Sequence, residues 1–385
     1  MTVEVFDERF AAEPWAVLAR LRGDGGVHRV RTPDGTPAWL VTRFGDVRAG
    51  LLDERLSTRS VYAGGTDYNG FALPSPFDMF LDGKPDDHAW MRRAITTEFS
   101  PRRLAEWSRT APRIIEPLLG DLGERVDLVE EFAIPLPTAV LTELLGLAEP
   151  EREALLGWAN STLRASATPP RARDTLATMF GINQATIERA RSAPDSVVGR
   201  LVTGIDANTT DHAAAAIFYL LFVWYEVLVD LIAGSVLALT VRREQLEAFR
   251  DMPDKQAGVD ELLRYLSPQV LASTRFARTD LQIGENTIHA GDTVLLCLAA
   301  ANHDPEIFDR PDELDLHRTR NPHLGLGHGE HACLGNVLVR TITAAVLDEL
   351  FTRWPDLDLT VDPATIAWRS GFRHRGPQFL PVTLG

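Results

Sequence analysis

The stretch AAAAIFYLLFVWYEVLVDLIAGSVLALT, Ala213 to Thr240, most restricts the folds open to this chain. It is apolar on every face of a helix, and such a helix is stable only when enclosed, in a membrane or at the centre of a domain. Ala213 to Tyr225 carries no charge, but Glu226 and Asp230 then fall near the middle. The uncharged run stops short of the ~18 residues of a spanning helix. A central helix from Asp211 to Gln245 is therefore expected, roughly 50 Å long at the α-helical rise. Enclosing it takes a large core, which 385 residues, 45% of them hydrophobic, supply without a disulfide or structural metal.

Around that helix the pattern stays helical from Asp87 to about Phe249, with breaks at Pro101, Pro150, Pro169-Pro170 and Pro194. PAWLVTRFGDVRAGLL near the N-terminus reads as a strand and a helix, and LQIGENTIHAGDTVLLCLA as short strands. Neither repeat nor linker composition is present, so residues 1–385 are expected to form a single, mainly α domain with small β-sheets. Ser60 to Phe80, rich in Gly, Pro and aromatics, is expected as a long functional loop. The net charge of −15, without a basic tract, argues against a nucleic acid partner. The start MTVEVFDERFAAEPW has no basic head before an apolar stretch, so neither a signal peptide nor a membrane anchor is expected. With two cysteines, Cys297 and Cys333, a cytoplasmic setting is expected.

Cys333 lies in HLGLGHGEHACLGN, His323 to Asn336, and has three readings. It is a small buried hydrophobe in a glycine turn; or a zinc ligand beside His328 and His331, although the second ligand pair is missing; or a thiolate on a flat macrocyclic iron. The third explains the glycines, which let the backbone pass close to a ring and take positive φ. It also suits the helix pattern of LGNVLVRTITAAVLDEL, whose start favours a thiolate.

Gly327-x-Gly329-x-His331-x-Cys333-x-Gly335 resembles the haem-binding loop of the cytochrome P450 superfamily, in its soluble actinobacterial, specialised-metabolite form. The resemblance implies the family fold, a long central helix over haem b, Cys333 as axial ligand, and His331 on a haem propionate. His88 and Arg92 in HAWMRR and Arg275 in STRFARTD match the family's other propionate positions. Glu261-x-x-Arg264, one helical turn apart and 72 residues before Cys333, matches the pair that anchors the fold. One departure is PDELDL where the family has PDRFDL. Glu313 stands in place of an arginine, and Arg310 or Arg318 is expected to complete that network.

Over the iron the family carries an Ala-Gly pair and an acid-alcohol pair. Aligned on REQLEAFRDMP, this chain has Val223-Trp224, Glu226 and Val227 there. The acid is kept and the alcohol is lost, so Val223 and Val227 are expected to present an apolar face, with protons coming from substrate or ordered water. That points to oxidative aromatic coupling, in which hydrogen atoms leave activated O–H or N–H groups of a small aromatic peptide or similar substrate. The alternatives are a conventional hydroxylase or epoxidase with substrate-assisted proton delivery, and a haem-binding sensor or recruitment protein.

The resemblance places substrate contacts at Tyr62, Tyr68, Phe71, Tyr219, Phe222 and Val270, with further contacts near RSGFRHRGP. Arg373, His374 and Arg375 there hint at an anionic substrate group. No flavin fingerprint or iron–sulfur cysteine set is present, so a separate ferredoxin with its reductase is expected to deliver electrons, and dioxygen to be consumed. Arg92, Arg93, Arg102, Arg103 and Arg340 are candidates for that carrier's docking patch.

Overall fold

β-branched and aliphatic residues in short alternating runs give ten strands among the described residues of the computed structural model, which are 3–64, 78–79, 84–164, 172–203, 210–369 and 372–385. They are β1 (Val27–Arg31), β2 (Pro37–Val41), β3 (Leu56–Ser57), β4 (Arg125–Asp127) and β5 (Arg275–Ala277). β6 (Leu281–Ile283), β7 (Asn286–Ile288), β8 (Thr293–Leu296), β9 (Asp358–Leu359) and β10 (Pro381–Thr383) follow. Helices make up most of the rest, as expected of a mainly α chain. The sequence offers no linker, yet the chain sorts into two compact units, each assembled from three separated stretches.

The first unit gathers Met1–Ala72, Arg242–Asn336 and Trp368–Gly376. Its five-stranded sheet runs β1-β2-β8-β5-β3. β1 and β2 form an antiparallel pair with Val27 opposite Val41, while β2 and β8 are parallel with Trp39 opposite Val294. Successive side chains of a strand point to opposite faces, and each face carries its own core. Trp39, Val41, Val294 and Leu296 pack with Val47, Phe308 and Leu324. Ala38, Leu40, Leu295 and Cys297 pack with Phe10, Leu18 and Val270. β8 is buried along its whole length because both of its faces are covered. The last turn of this sheet hands Cys297 to the helix Leu298–Asn302 as its N-cap.

The second unit gathers Leu73–Val241, Val337–Ala367 and Pro377–Gly385 and is helical apart from the small sheet β4-β10-β9. Its helices include Pro85–Glu98, Pro135–Leu145, Glu149–Leu163, Ala172–Ala190 and Asn336–Arg353. Pro135–Leu145 ends on Gly146 in the left-handed region, the conformation that costs a glycine least. The apolar segment forms two helices, Thr210–Phe222 and Tyr225–Val241, where the sequence led us to expect one. Val223 and Trp224 form a turn between them, and Gln245 belongs to the separate helix Arg243–Asp251. The pattern missed the break because no proline or glycine marks it. From Leu228 to Thr240 every residue is buried. By length and composition Asp211–Val241 is apolar enough to cross a membrane, but 72% of its most apolar window is buried inside the protein, as in a core helix.

Candidate active site

Cys333 is held by the backbone of its own loop. Its main-chain N–H donates to the Leu326 carbonyl at 2.8 Å, and that of Gly327 to the Leu324 carbonyl at 2.8 Å. Gly327 (φ 71°) and Gly329 (φ 76°) take the left-handed conformation, which other residues adopt at a cost. A Cβ on Gly329 would also stand 2.8 Å from the Leu52 side chain. Asn302, fully buried, accepts from the Leu324 N–H at 2.7 Å and so fixes where the loop starts. Sequence reasoning did not single out Asn302, whose acceptor role leaves no mark in any spacing. The helix Asn336–Arg353 begins three residues after the thiol.

The two cysteines stand in opposite environments. Cys297 is fully buried, its sulfur accepts from the Ala300 N–H at 3.4 Å, and burial pushes its thiol up to about 12. Cys333 is partly exposed. Of the two, Cys333 alone is placed to reach a ligand as a thiolate.

The cationic positions follow. Arg275 lies on β5 and is only 1% exposed. It donates one hydrogen bond, to the Ser273 carbonyl at 2.7 Å, and no carboxylate lies within ion-pair distance of it among the described residues. Burial lowers it to about 10, with only partial compensation from the Glu330 charge. A buried cation without a counter-ion is costly unless an anion joins it, and the acid groups of a haem are such anions. His331 holds its Nε2 3.3 Å from the Glu330 carboxylate. His88 and Arg92, both partly buried, lie one turn apart on Pro85–Glu98 in the second unit. Within the first unit, Cys333 and Arg275 therefore offer a sulfur ligand and a cation in need of an anion, the chemistry that suits a flat anionic macrocycle. Among the described residues no three His, Cys, Asp or Glu side chains converge as metal ligands, so the zinc reading has no ligand set there.

Glu261 and Arg264 are paired through two 2.8 Å bonds at 1% and 0% side-chain exposure. Arg264 spends its remaining donors on the carbonyls of Asn302 (3.0 Å), Pro311 (2.6 Å) and Glu313 (2.7 Å). Arg318 supplies the second cation, its Nε 3.1 Å from Glu261. Arg310 instead pairs at the surface with Glu313. Asn321 adds an amide donor to Glu261 at 3.2 Å, a contact no motif pointed to.

On the apolar segment, surface is confined to the neighbourhood of the break. Val223 is 42% exposed, and Tyr219, Trp224, Glu226 and Val227 are half-buried. The hydroxyls of Tyr225–Val241 belong to Tyr225, Ser235 and Thr240, all buried, and that of Tyr225 is engaged by Thr138 and the Ile134 carbonyl. Val223 and Val227 do not form one helical face as expected, because the turn separates them.

The remaining candidates scatter. Phe222 packs edge-to-face on Trp158 at 4.9 Å, and Val270 is a core residue whose N–H donates to the Arg373 carbonyl. Tyr62 sits under the guanidinium groups of Arg59 (5.8 Å) and Arg278 (5.2 Å). Tyr68 and Phe71 lie outside the described residues. Arg375 is no anion receptor: it is 5% exposed, donates to the Ala11 and Ala12 carbonyls and stacks 3.6 Å over Trp368.

Residues 207–354 match the family model described as Cytochrome P450. The chain is 32% identical to Cytochrome P450 107B1 of Saccharopolyspora erythraea, over 99% of this chain and 97% of that one. It is 34% identical to Cytochrome P450 monooxygenase PikC of Streptomyces venezuelae, over 97% and 91%. The solved structure of the tirandamycin C-bound P450 monooxygenase TamI, 33% identical, superposes with a TM-score of 0.88 and full coverage of both chains. The chain belongs to the cytochrome P450 family. It is a bacterial-type monooxygenase of specialised-metabolite biosynthesis whose cofactor is haem with a cysteine thiolate axial ligand, and it uses dioxygen, an organic substrate and a redox partner.

Proposed function

We propose that Cys333 is that axial ligand, that Arg275, His331, His88 and Arg92 hold the haem propionates, and that the enzyme couples aromatic groups within a small peptide or similar substrate. When bound, the haem supplies an oxidant able to take hydrogen atoms from activated O–H or N–H groups. Dioxygen accepts two electrons from the carrier and two from the substrate. The substrate loses two hydrogen atoms and forms one new bond, and both oxygen atoms leave as water. Glu226, in the first turn of its helix, passes protons in this reading, and the acidic substrate groups supply the relay that Val227 lacks.

One observation carries the coupling reading. Val227 is the accessible residue next to Glu226, and it has no hydroxyl to donate a proton or hold a water. Support comes from relatives named as synthases, Biflaviolin synthase CYP158A1 of Streptomyces coelicolor, 32% identical, and the putative thioether synthase SgvP, 31% identical with a TM-score of 0.87, and from the solved structure of the P450 enzyme CxnD for C-S bond formation, 25% identical with a TM-score of 0.84. Retention of Glu226 favours a second reading, hydroxylation, the activity in the name of the Vitamin D(3) 25-hydroxylase of Pseudonocardia autotrophica, 31% identical. A ferredoxin in the cytoplasm completes the proposal.

Turnover under labelled dioxygen separates the two. Coupling leaves no label in the product, and Val227→Thr changes the rate by less than about threefold, under 1 kcal/mol of barrier. Label in the product with a gain of about tenfold or more on restoring threonine overturns coupling in favour of hydroxylation.

A further inference from the structure

Residues 219–228, YLLFVWYEVL, contain no proline, glycine or serine, and by composition they belong inside a helix. A sharp interruption of a helix has few physical causes: proline, Gly/Ser pairs, an inserted residue, or a side chain entering the hydrogen-bond ladder. Only the last has a visible agent here. The indole N–H of Trp224 donates to the Leu220 carbonyl at 2.6 Å. In a continuous helix that carbonyl accepts the main-chain N–H of residue 224 itself. The ladder reaches Val223, whose N–H donates to Tyr219 at a stretched 3.3 Å, and it resumes with Leu228 donating to Trp224 at 3.1 Å.

Both sides of the break are pinned. Phe222 and Tyr225 meet the same indole, that of Trp158, edge-to-face at 4.9 and 5.5 Å. The Tyr225 hydroxyl donates to the Ile134 carbonyl at 2.6 Å and shares a 2.6 Å bond with the Thr138 hydroxyl. Burial pushes this phenol up, so it stays a neutral donor throughout the working pH range.

We propose that Trp224 is the positioning residue of this active site: its indole–carbonyl bond holds the central helix open between Phe222 and Tyr225 and so sets where Glu226 and Val227 face. The opening depends on a donor carried by the chain itself rather than on an alcohol or a small-residue pair. It makes Glu226 a first-turn residue, where the positive end of the new helix favours a carboxylate.

Hydrogen exchange on the haem-loaded enzyme tests this. In the wild type, amides of 224–227 should exchange about tenfold or more faster than those of 229–240, because the break leaves them outside an intact ladder. Trp224→Phe keeps the ring and removes the donor. Protection of 224–227 should then rise about five- to tenfold, the worth of one helical hydrogen bond. Substrate affinity should hold while the share of electrons lost to hydrogen peroxide changes. Trp224→Gln, which keeps a donor and loses the ring, should stay open. Uniform protection from 219 to 240 in the wild type overturns the proposal without any variant. So does a Phe variant that exchanges like the wild type, or a Gln variant that closes; if the Phe variant does not fold, the wild-type profile and the Gln variant decide.

Discussion

Two arginines, Arg264 and Arg275, are among the most completely buried side chains of the protein, at 0% and 1% exposure, and they belong to the same unit. Arg264 is saturated: Glu261 takes two of its bonds and three carbonyls take the rest. Arg275 has one carbonyl and no carboxylate among the described residues. Burial lowers Arg275 to about 10, because the loss of water outweighs the opposing charge of Glu330. The lesson is that burial alone does not tell a structural cation from a binding one. What the cation has left to bond does. A satisfied guanidinium holds the fold together, and an unsatisfied one waits for the anion that completes it.

The largest expected effect attacks the satisfied arginine. Glu261→Gln leaves Arg264 and Arg318 facing an uncharged amide, and losing one partner of a buried pair costs about 3–5 kcal/mol. Chemical unfolding of the haem-loaded protein should register that loss, and a variant within about 0.5 kcal/mol of the wild type would dissolve the contrast. Arg275→Met sharpens it from the other side. Without haem, stability should hold or improve, because a costly charge has been removed. With haem, titration should show an affinity about 10- to 150-fold weaker, as for a lost hydrogen bond to a charged group. Equal losses in both forms would make Arg275 structural after all. The smallest effect belongs to Arg318→Ala, about 1–2 kcal/mol in unfolding, since Glu261 keeps Arg264 and the Asn321 amide.

The same contrast marks how far the sequence could be read. The thiol loop, the Glu261–Arg264 pair and the mainly helical fold were legible because each is local: a fixed spacing, a one-turn offset, a repeated period. Arg318 emerged only as one of two candidates, because choosing it over Arg310 needs the path of an irregular stretch. The break at Val223-Trp224 was illegible, since the acceptor of the indole is a main-chain carbonyl and no residue type announces it. Arg375 misled for a similar reason. Its partners, the Ala11 and Ala12 carbonyls, lie more than 360 residues away in the chain. Long-range bonds to backbone atoms leave no pattern in composition or period.

The parallel pairing of β2 with β8 has a consequence for synthesis. Trp39–Val41 cannot meet Val294–Leu296 until some 250 further residues have left the ribosome, which takes roughly 10–50 s at ordinary elongation rates. Throughout that interval the edge of β2 is open, and Ala213–Thr240, the most apolar part of the chain, is made before the strand that closes it. The nascent protein thus passes its most aggregation-prone period with one sheet unfinished, and slowing translation before Val294–Leu296 have emerged from the ribosome should lower the soluble yield more than slowing it after they have emerged.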